Sequence, residues 1–284
     1  MRQFLSSPDL FALVTLLRSG TSQALLLVEG STDSLCLTPH IDASDTRIVV
    51  GYGRNSVEEA VQKSDSHKVP HVVGLVDADL DDYLNPGRAV RSASIVRTTN
   101  YDLEADVLSI PGLVDRLVFS QAEKDLVDSF MASNSDGSVL EMAARLAYNV
   151  GKLRLDSGRN RYGLYLRELP LDQFLDASAP HLDHDRLAAI IVAKSRTSSL
   201  TKMQIIRALK SITRDPVDFK LCCGHDLLRV LKGALSSWWR TKMTYESIGR
   251  VLRAMVARSD LMSMQIYIDL DEWAKRNGRS IWAS

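Results

Sequence analysis

The stretch Ala24-Leu25-Leu26-Leu27-Val28-Glu29-Gly30-Ser31-Thr32-Asp33 decides how the chain is read. An unbroken apolar run of this length fits a strand buried on both faces. It stops at an acid, a glycine and small polar residues. In open α/β sheets ligands sit just beyond the carboxyl ends of the strands, which puts Glu29 where chemistry is usually done. Gly30 offers backbone freedom for a sharp turn and close approach to a bound group. Ser31, Thr32 or Asp33 is placed to cap a following helix. A second stretch, Val72-Val73-Gly74-Leu75-Val76-Asp77-Ala78-Asp79-Leu80-Asp81-Asp82, repeats the pattern. Residues i and i+2 of an extended segment point the same way, so Asp77 and Asp79 face one point. The four carboxylates of Asp77, Asp79, Asp81 and Asp82 repel one another unless a cation lies among them. Oxygen-only ligands favour Mg²⁺ or Mn²⁺.

Outward from these strands, Ser7-Pro8-Asp9 reads as a helix start with proline at its first position, and Arg18-Ser19-Gly20 as its end. A short helix from about Asp33 follows the first strand. Arg47–Val50 reads as a second strand, and Ser56-Val57-Glu58-Glu59 as an N-cap with an acid three residues on, opening a helix to about Ser66. Residues 80–92 read as a loop with a turn at Asn85-Pro86-Gly87, Ser94–Arg97 as a fourth strand and Leu103–Leu108 as a helix broken at Pro111-Gly112. Strand and helix alternate, which implies a mostly parallel sheet with right-handed crossovers. Beyond about residue 115 the apolar spacing turns helical, over 141–150, 200–212, 225–238 and 245–256, with loops expected at 133–137 and 156–161. The expected organisation is an α/β domain over 1–115 and a basic, mainly helical domain over 116–284.

The strand ending in Glu29-Gly30, followed by the strand ending in Asp77-x-Asp79, resembles the TOPRIM domain, a Rossmann-like fold of topoisomerases, primases and OLD-type nucleases. Gly53-Arg54-Asn55, Asn100-Tyr101-Asp102-Leu103-Glu104 and Gly224-His225-Asp226-Leu227-Leu228 extend the likeness over roughly residues 20–240. With them the chain resembles the AriB-like group, the nuclease subunits of PARIS-type phage-defence systems. The resemblance implies a metal-dependent nuclease with RNA, and tRNA first, as substrate. It also implies an ABC-type ATPase partner and a homodimer when active. In TOPRIM nucleases the equivalents of Asp77 and Asp79 bind Mg²⁺, and that of Glu29 binds metal or moves a proton. Glu104 is placed to complete the cluster, with a helix-dipole partner as the plain alternative.

At 284 residues, 45% of them hydrophobic and 25% charged, the chain has the composition of an ordinary globular protein with a sizeable core. No run approaches the roughly 20 apolar residues of a membrane span. The apolar stretch from Phe11 follows an acid, Asp9, so no signal peptide is expected. Cys36, Cys222 and Cys223 form neither a disulfide framework nor a zinc knuckle, which favours a reducing cytoplasmic setting. Residues 1–115 carry 9 Lys/Arg against 16 Asp/Glu, whereas residues 187–258 carry 14 against 4. An acidic part to hold cations beside a basic part to attract phosphates suits a metal enzyme acting on nucleic acid. Solvated helix faces explain the basic excess equally well.

Asp33 reads equally as a helix cap or as support for the acidic site. Asp81 and Asp82 read as solvated loop acids. His225 and Asp226 are candidates for a supporting role, a helix cap or core hydrogen bond being the commoner use of such a histidine. Arg154, Arg159, Arg161, Lys194, Arg196 and Lys202 are candidate phosphate contacts. Trp238-Trp239-Arg240 is a candidate stacking platform for a base, although tryptophans at helical positions more often belong to a core. No Walker motif occurs, so ATP hydrolysis is not expected. The alternative to a nuclease is a non-catalytic subunit that keeps the TOPRIM shell and binds nucleic acid or a partner protein.

Overall fold

A computed structural model describes residues 7–86, 92–212 and 216–283. The side chains of Ser7, Pro8 and Asp9, read above as a helix start, lie outside the described residues, as does Gly87 of the expected turn. The chain runs α1 (Ser7–Gly20), β1 (Ala24–Val28), α2 (Ser31–Leu37), β2 (Thr46–Val50), α3 (Arg54–Ser66), β3 (Val72–Val76), α4 (Asp81–Leu84), β4 (Ile95–Arg97), α5 (Leu103–Leu108), α6 (Leu113–Gln121) and α7 (Lys124–Ala132). It continues with α8 (Val139–Asn160), α9 (His184–Lys194), α10 (Lys202–Ile212), α11 (Gly224–Ser237), α12 (Tyr245–Met255), α13 (Arg258–Met262) and α14 (Gln265–Arg276). No helix among the described residues is long and apolar enough to cross a membrane.

The described residues form two compact units. The first lies within Met1–Ala78, Gly87–Leu103 and Ala257–Ser284, the second within Asp79–Pro86 and Glu104–Val256. The chain therefore does not part once near residue 115, because its last helices return to the first unit. Polar side chains and free backbone groups draw them there. Asp42 donates its N–H to Ile281 O at 2.8 Å, and Thr46 Oγ1 donates to Ser280 O at 2.7 Å. Asp45 takes the Ser280 N–H at 2.6 Å and Arg279 Nη1 at 3.0 Å.

The first unit is an α/β fold around a four-stranded, all-parallel sheet of order β2-β1-β3-β4. β1 is wholly buried, as its unbroken apolar run requires. Leu25 and Leu27 share a core with Leu10 and Val14 of α1 and with Val57, Ala60 and Val61 of α3. α2 packs on β1 and β2, and α14 on β4. The close seating of α3 explains Gly74 in the middle of β3: a Cβ there would lie 2.9 Å from Val57 Cγ1. α3 starts at Arg54 with Gly53 as its N-cap, so Ser56 is an internal helical residue rather than the cap. Because β1 is followed outward by β2 and the chain then crosses back to β3, the direction of winding reverses between β1 and β3. Ligand crevices of open sheets form at such a reversal, outside the carboxyl ends of the strands.

The second unit is helical and is built round α8. Ser138 caps α8 by accepting the Glu141 N–H, and Glu141 Oε2 accepts the Gly137 N–H in return. The helix runs to Asn160 and ends on Arg161 in the left-handed conformation, so residues 156–160 are helical rather than a loop. Lys152 and Asp156, paired at 3.0 Å, hold this polar end. α11 packs along α8, and the short turn just before α11 comes so close that a Cβ on Gly151 would lie 2.0 Å from Leu221 O.

Candidate active site

Glu29 and Asp77 are each the first residue beyond a strand, β1 and β3, on either side of the winding reversal. The ladder continues past the end of β1: Val28 O accepts the Gly51 N–H at 2.8 Å and Glu29 O the Gly53 N–H at 3.0 Å. The Glu29 side chain turns across to β3, where Oε1 accepts the Asp77 N–H at 2.9 Å. Asp77 Oδ1 in turn accepts the Leu103 N–H at 3.3 Å. Both acids are half-buried. Residues separated by 48 positions thus place two carboxylates at one sheet edge.

The turn after β3 is held from β4. Thr98 Oγ1 accepts the Ala78 N–H at 2.8 Å, and Arg97 Nη2 donates to Ala78 O at 3.3 Å. Asp79 then adopts φ +50°, rare for a residue with a side chain, and is exposed. Asp79 and Glu104 open the two spans of the second unit, Glu104 half-buried in the first turn of α5. Asp81 is buried at the start of α4 and accepts from Asn85 Nδ2 at 3.2 Å, so it is not a solvated loop acid. Asp82 is exposed, 3.9 Å from Lys220.

Asp33 sits in the first turn of α2 and accepts the Gly30 N–H at 2.7 Å, the reciprocal bond of a helix start. Gly30 is extended, φ −129°, and a Cβ would meet nothing nearer than 3.5 Å, so the freedom of glycine is not used for a turn there.

In the second unit Asp226 is 2% exposed and pairs with Arg154 Nη2 at 2.8 Å. Arg154 also donates to Leu166 O at 3.0 Å, which engages this candidate phosphate contact inside its own unit. Lys202 pairs with Asp185 at 2.9 Å, and Lys194 reaches Glu168 O at 3.1 Å. Arg159, Arg161 and Arg196 are exposed. His225 is exposed in the first turn of α11, its ring 6.1 Å from that of Tyr245, while Cys223 takes the N-cap position. Trp238 and Trp239 are core residues, 8% and 1% exposed, and Trp238 stacks on Phe130 at 4.6 Å. They offer no face to a base.

The sequence reading passed over Thr98 and Arg97. The signal was available, since both lie at the carboxyl end of β4, the edge that singled out Glu29 and Asp77. The donor set at this edge is hard oxygen from carboxylates, which fits Mg²⁺ or Mn²⁺ and does not fit a thiolate-seeking metal. Comparison with protein-family models found no match, and comparison with the curated proteins found none either.

Proposed function

We propose that the chain is a divalent-metal-dependent nuclease of TOPRIM type, with Glu29 and Asp77 at its centre. The observation that carries this reading is the meeting of Glu29 and Asp77 at the winding reversal of a parallel sheet, Oε1 to N–H at 2.9 Å. Bound Mg²⁺ or Mn²⁺ supplies Lewis acidity toward a phosphodiester and a lowered pKa for attacking water. Asp77 is the ligand fixed by backbone, and Glu29, tied to the Asp77 peptide, either shares the metal or takes the proton of the attacking water. The basic excess over residues 187–258 supports a nucleic-acid substrate, with exposed Arg159, Arg161 and Arg196 as the phosphate contacts best placed to serve. The likeness to the AriB-like group supports RNA, tRNA first, together with an ABC-type ATPase partner, a homodimeric active form, a cytoplasmic setting and a role in phage defence.

The test is cleavage of tRNA and of single-stranded DNA by purified protein in Mg²⁺ and in Mn²⁺. Glu29→Gln and Asp77→Asn are expected to lower the rate by at least about 100-fold, the scale on which loss of one transition-state-stabilising group is felt. Full activity in both variants removes the centre. Metal and RNA binding without cleavage makes the chain a binding subunit instead.

A further inference from the structure

We propose that Thr98 is the positioning residue of the acidic centre, its hydroxyl fixing the Asp77-Ala78-Asp79 turn and, through it, the affinity for a divalent cation. The inference rests on the metal reading above. Thr98 is 5% exposed and follows β4, its own N–H donating to Val76 O at 3.0 Å, so its backbone is an extension of the sheet. Its hydroxyl is used in both senses. Oγ1 accepts the Ala78 N–H at 2.8 Å and donates to Asn100 O at 2.9 Å, which leaves the O–H no rotational choice.

Arg97 holds the other side of the same residue through Ala78 O at 3.3 Å. Two successive residues of β4 and its extension therefore grip Ala78 by its N–H and its carbonyl. The peptide that carries the Ala78 N–H also carries the Asp77 carbonyl, so its orientation sets where the Asp77 side chain leaves the chain. Immediately beyond, Asp79 takes φ +50°, a conformation that persists only where the surroundings enforce it. Without the Thr98 hydroxyl the Ala78 N–H is buried and unsatisfied, and the easiest relief is rotation of that peptide, which swings Asp77 away from Glu29.

Wild type, Thr98→Ser, Thr98→Val and Asp77→Asn are titrated with Mn²⁺ by calorimetry, and their melting temperatures are measured without metal. Loss of a group that orients a metal ligand typically weakens binding about 10–100-fold. That loss is expected for Thr98→Val, with Thr98→Ser within about threefold of wild type, because only serine restores the hydroxyl. A role confined to folding would lower the metal-free melting temperature and leave affinity alone. Wild-type affinity in Thr98→Val, with binding lost in Asp77→Asn, overturns the positioning role and leaves the metal reading standing. Absence of binding by wild type overturns both. Should Thr98→Val melt too low to titrate, NMR of the wild type decides. The Ala78 amide is expected to be protected from exchange and to shift on Mg²⁺ addition, and a fast-exchanging or unmoved amide overturns the proposal.

Discussion

Asp77 in the first unit and Asp226 in the second are acids of the same kind put to different uses. Asp226 is buried and faces a guanidinium, Arg154, at 2.8 Å. Asp77 is half-buried at a strand end, with the Leu103 N–H on one oxygen and its own N–H given to Glu29. A guanidinium cancels the charge of a carboxylate, whereas a peptide N–H orients it and leaves the charge in place. The first contact ties two helices of the second unit together; the second orients a carboxylate at a strand end.

The largest expected effect breaks this comparison at its structural end. Asp226→Ala strands the mostly buried Arg154 and is expected to cost about 3–5 kcal/mol in chemical denaturation. Asp77→Asn is expected to keep the wild-type denaturation midpoint but to lose the rise in melting temperature on Mn²⁺ addition. Equal destabilisation by the two changes would erase the distinction. A smaller effect comes from Gly151, whose missing side chain lets α8 approach Leu221 and so brings Arg154 to Asp226. Gly151→Ala is expected to cost about 1–3 kcal/mol by overcrowding. In combination with Asp226→Ala the costs should fall short of additive; additivity within about 0.5 kcal/mol would separate the close approach from the ion pair.

The smallest effect is shared by both units. Burial is the main cause holding His40, His71 and His184 below the usual histidine range, with Arg258 adding to it for His40, Arg279 and Arg18 for His71, and His181 and Lys210 for His184. The unfolded chain then takes up protons first. Their contribution to stability is complete above about pH 6.5 and falls as the pH drops through the depressed folded values. His184→Gln should flatten part of the decline in urea midpoint between about pH 7 and pH 5.5, and an unaltered slope would exempt this histidine.

The sheet was legible because β1 and β3 are buried on both faces and so are written as plain apolar runs ending in acids. The helical second unit was legible from its three-and-four spacing. What escaped was whatever depends on distant partners. Nothing local in Ser280 or Ile281 announces hydrogen bonds to Thr46 and Asp42. The end of α8 looked like a loop because an exposed helix terminus is as polar as one. Arg154 was read as a phosphate contact when pairing with Asp226 had already engaged it, whereas Trp238 took the core place that tryptophans at helical positions more often hold. At the candidate centre the acids could be picked out, but Thr98, which is uncharged, could be valued only once its hydroxyl was seen on Ala78.

The return of α14 and the segment after it to the first unit bears on the order in which that unit can be assembled. β1, β2 and β3 emerge early, yet Asp42, Asp45 and Thr46 wait for residues 279–281, more than 230 positions later. Contacts of such long sequence separation form slowly, after a large loop has closed. These contacts sit at the amino end of β2, across the sheet from the carboxyl edge that carries Glu29 and Asp77, so the strap closes the far end of the sheet late. A chain lacking residues 279–281 would keep the Glu29–Asp77 edge and leave the amino end of β2 without its strap.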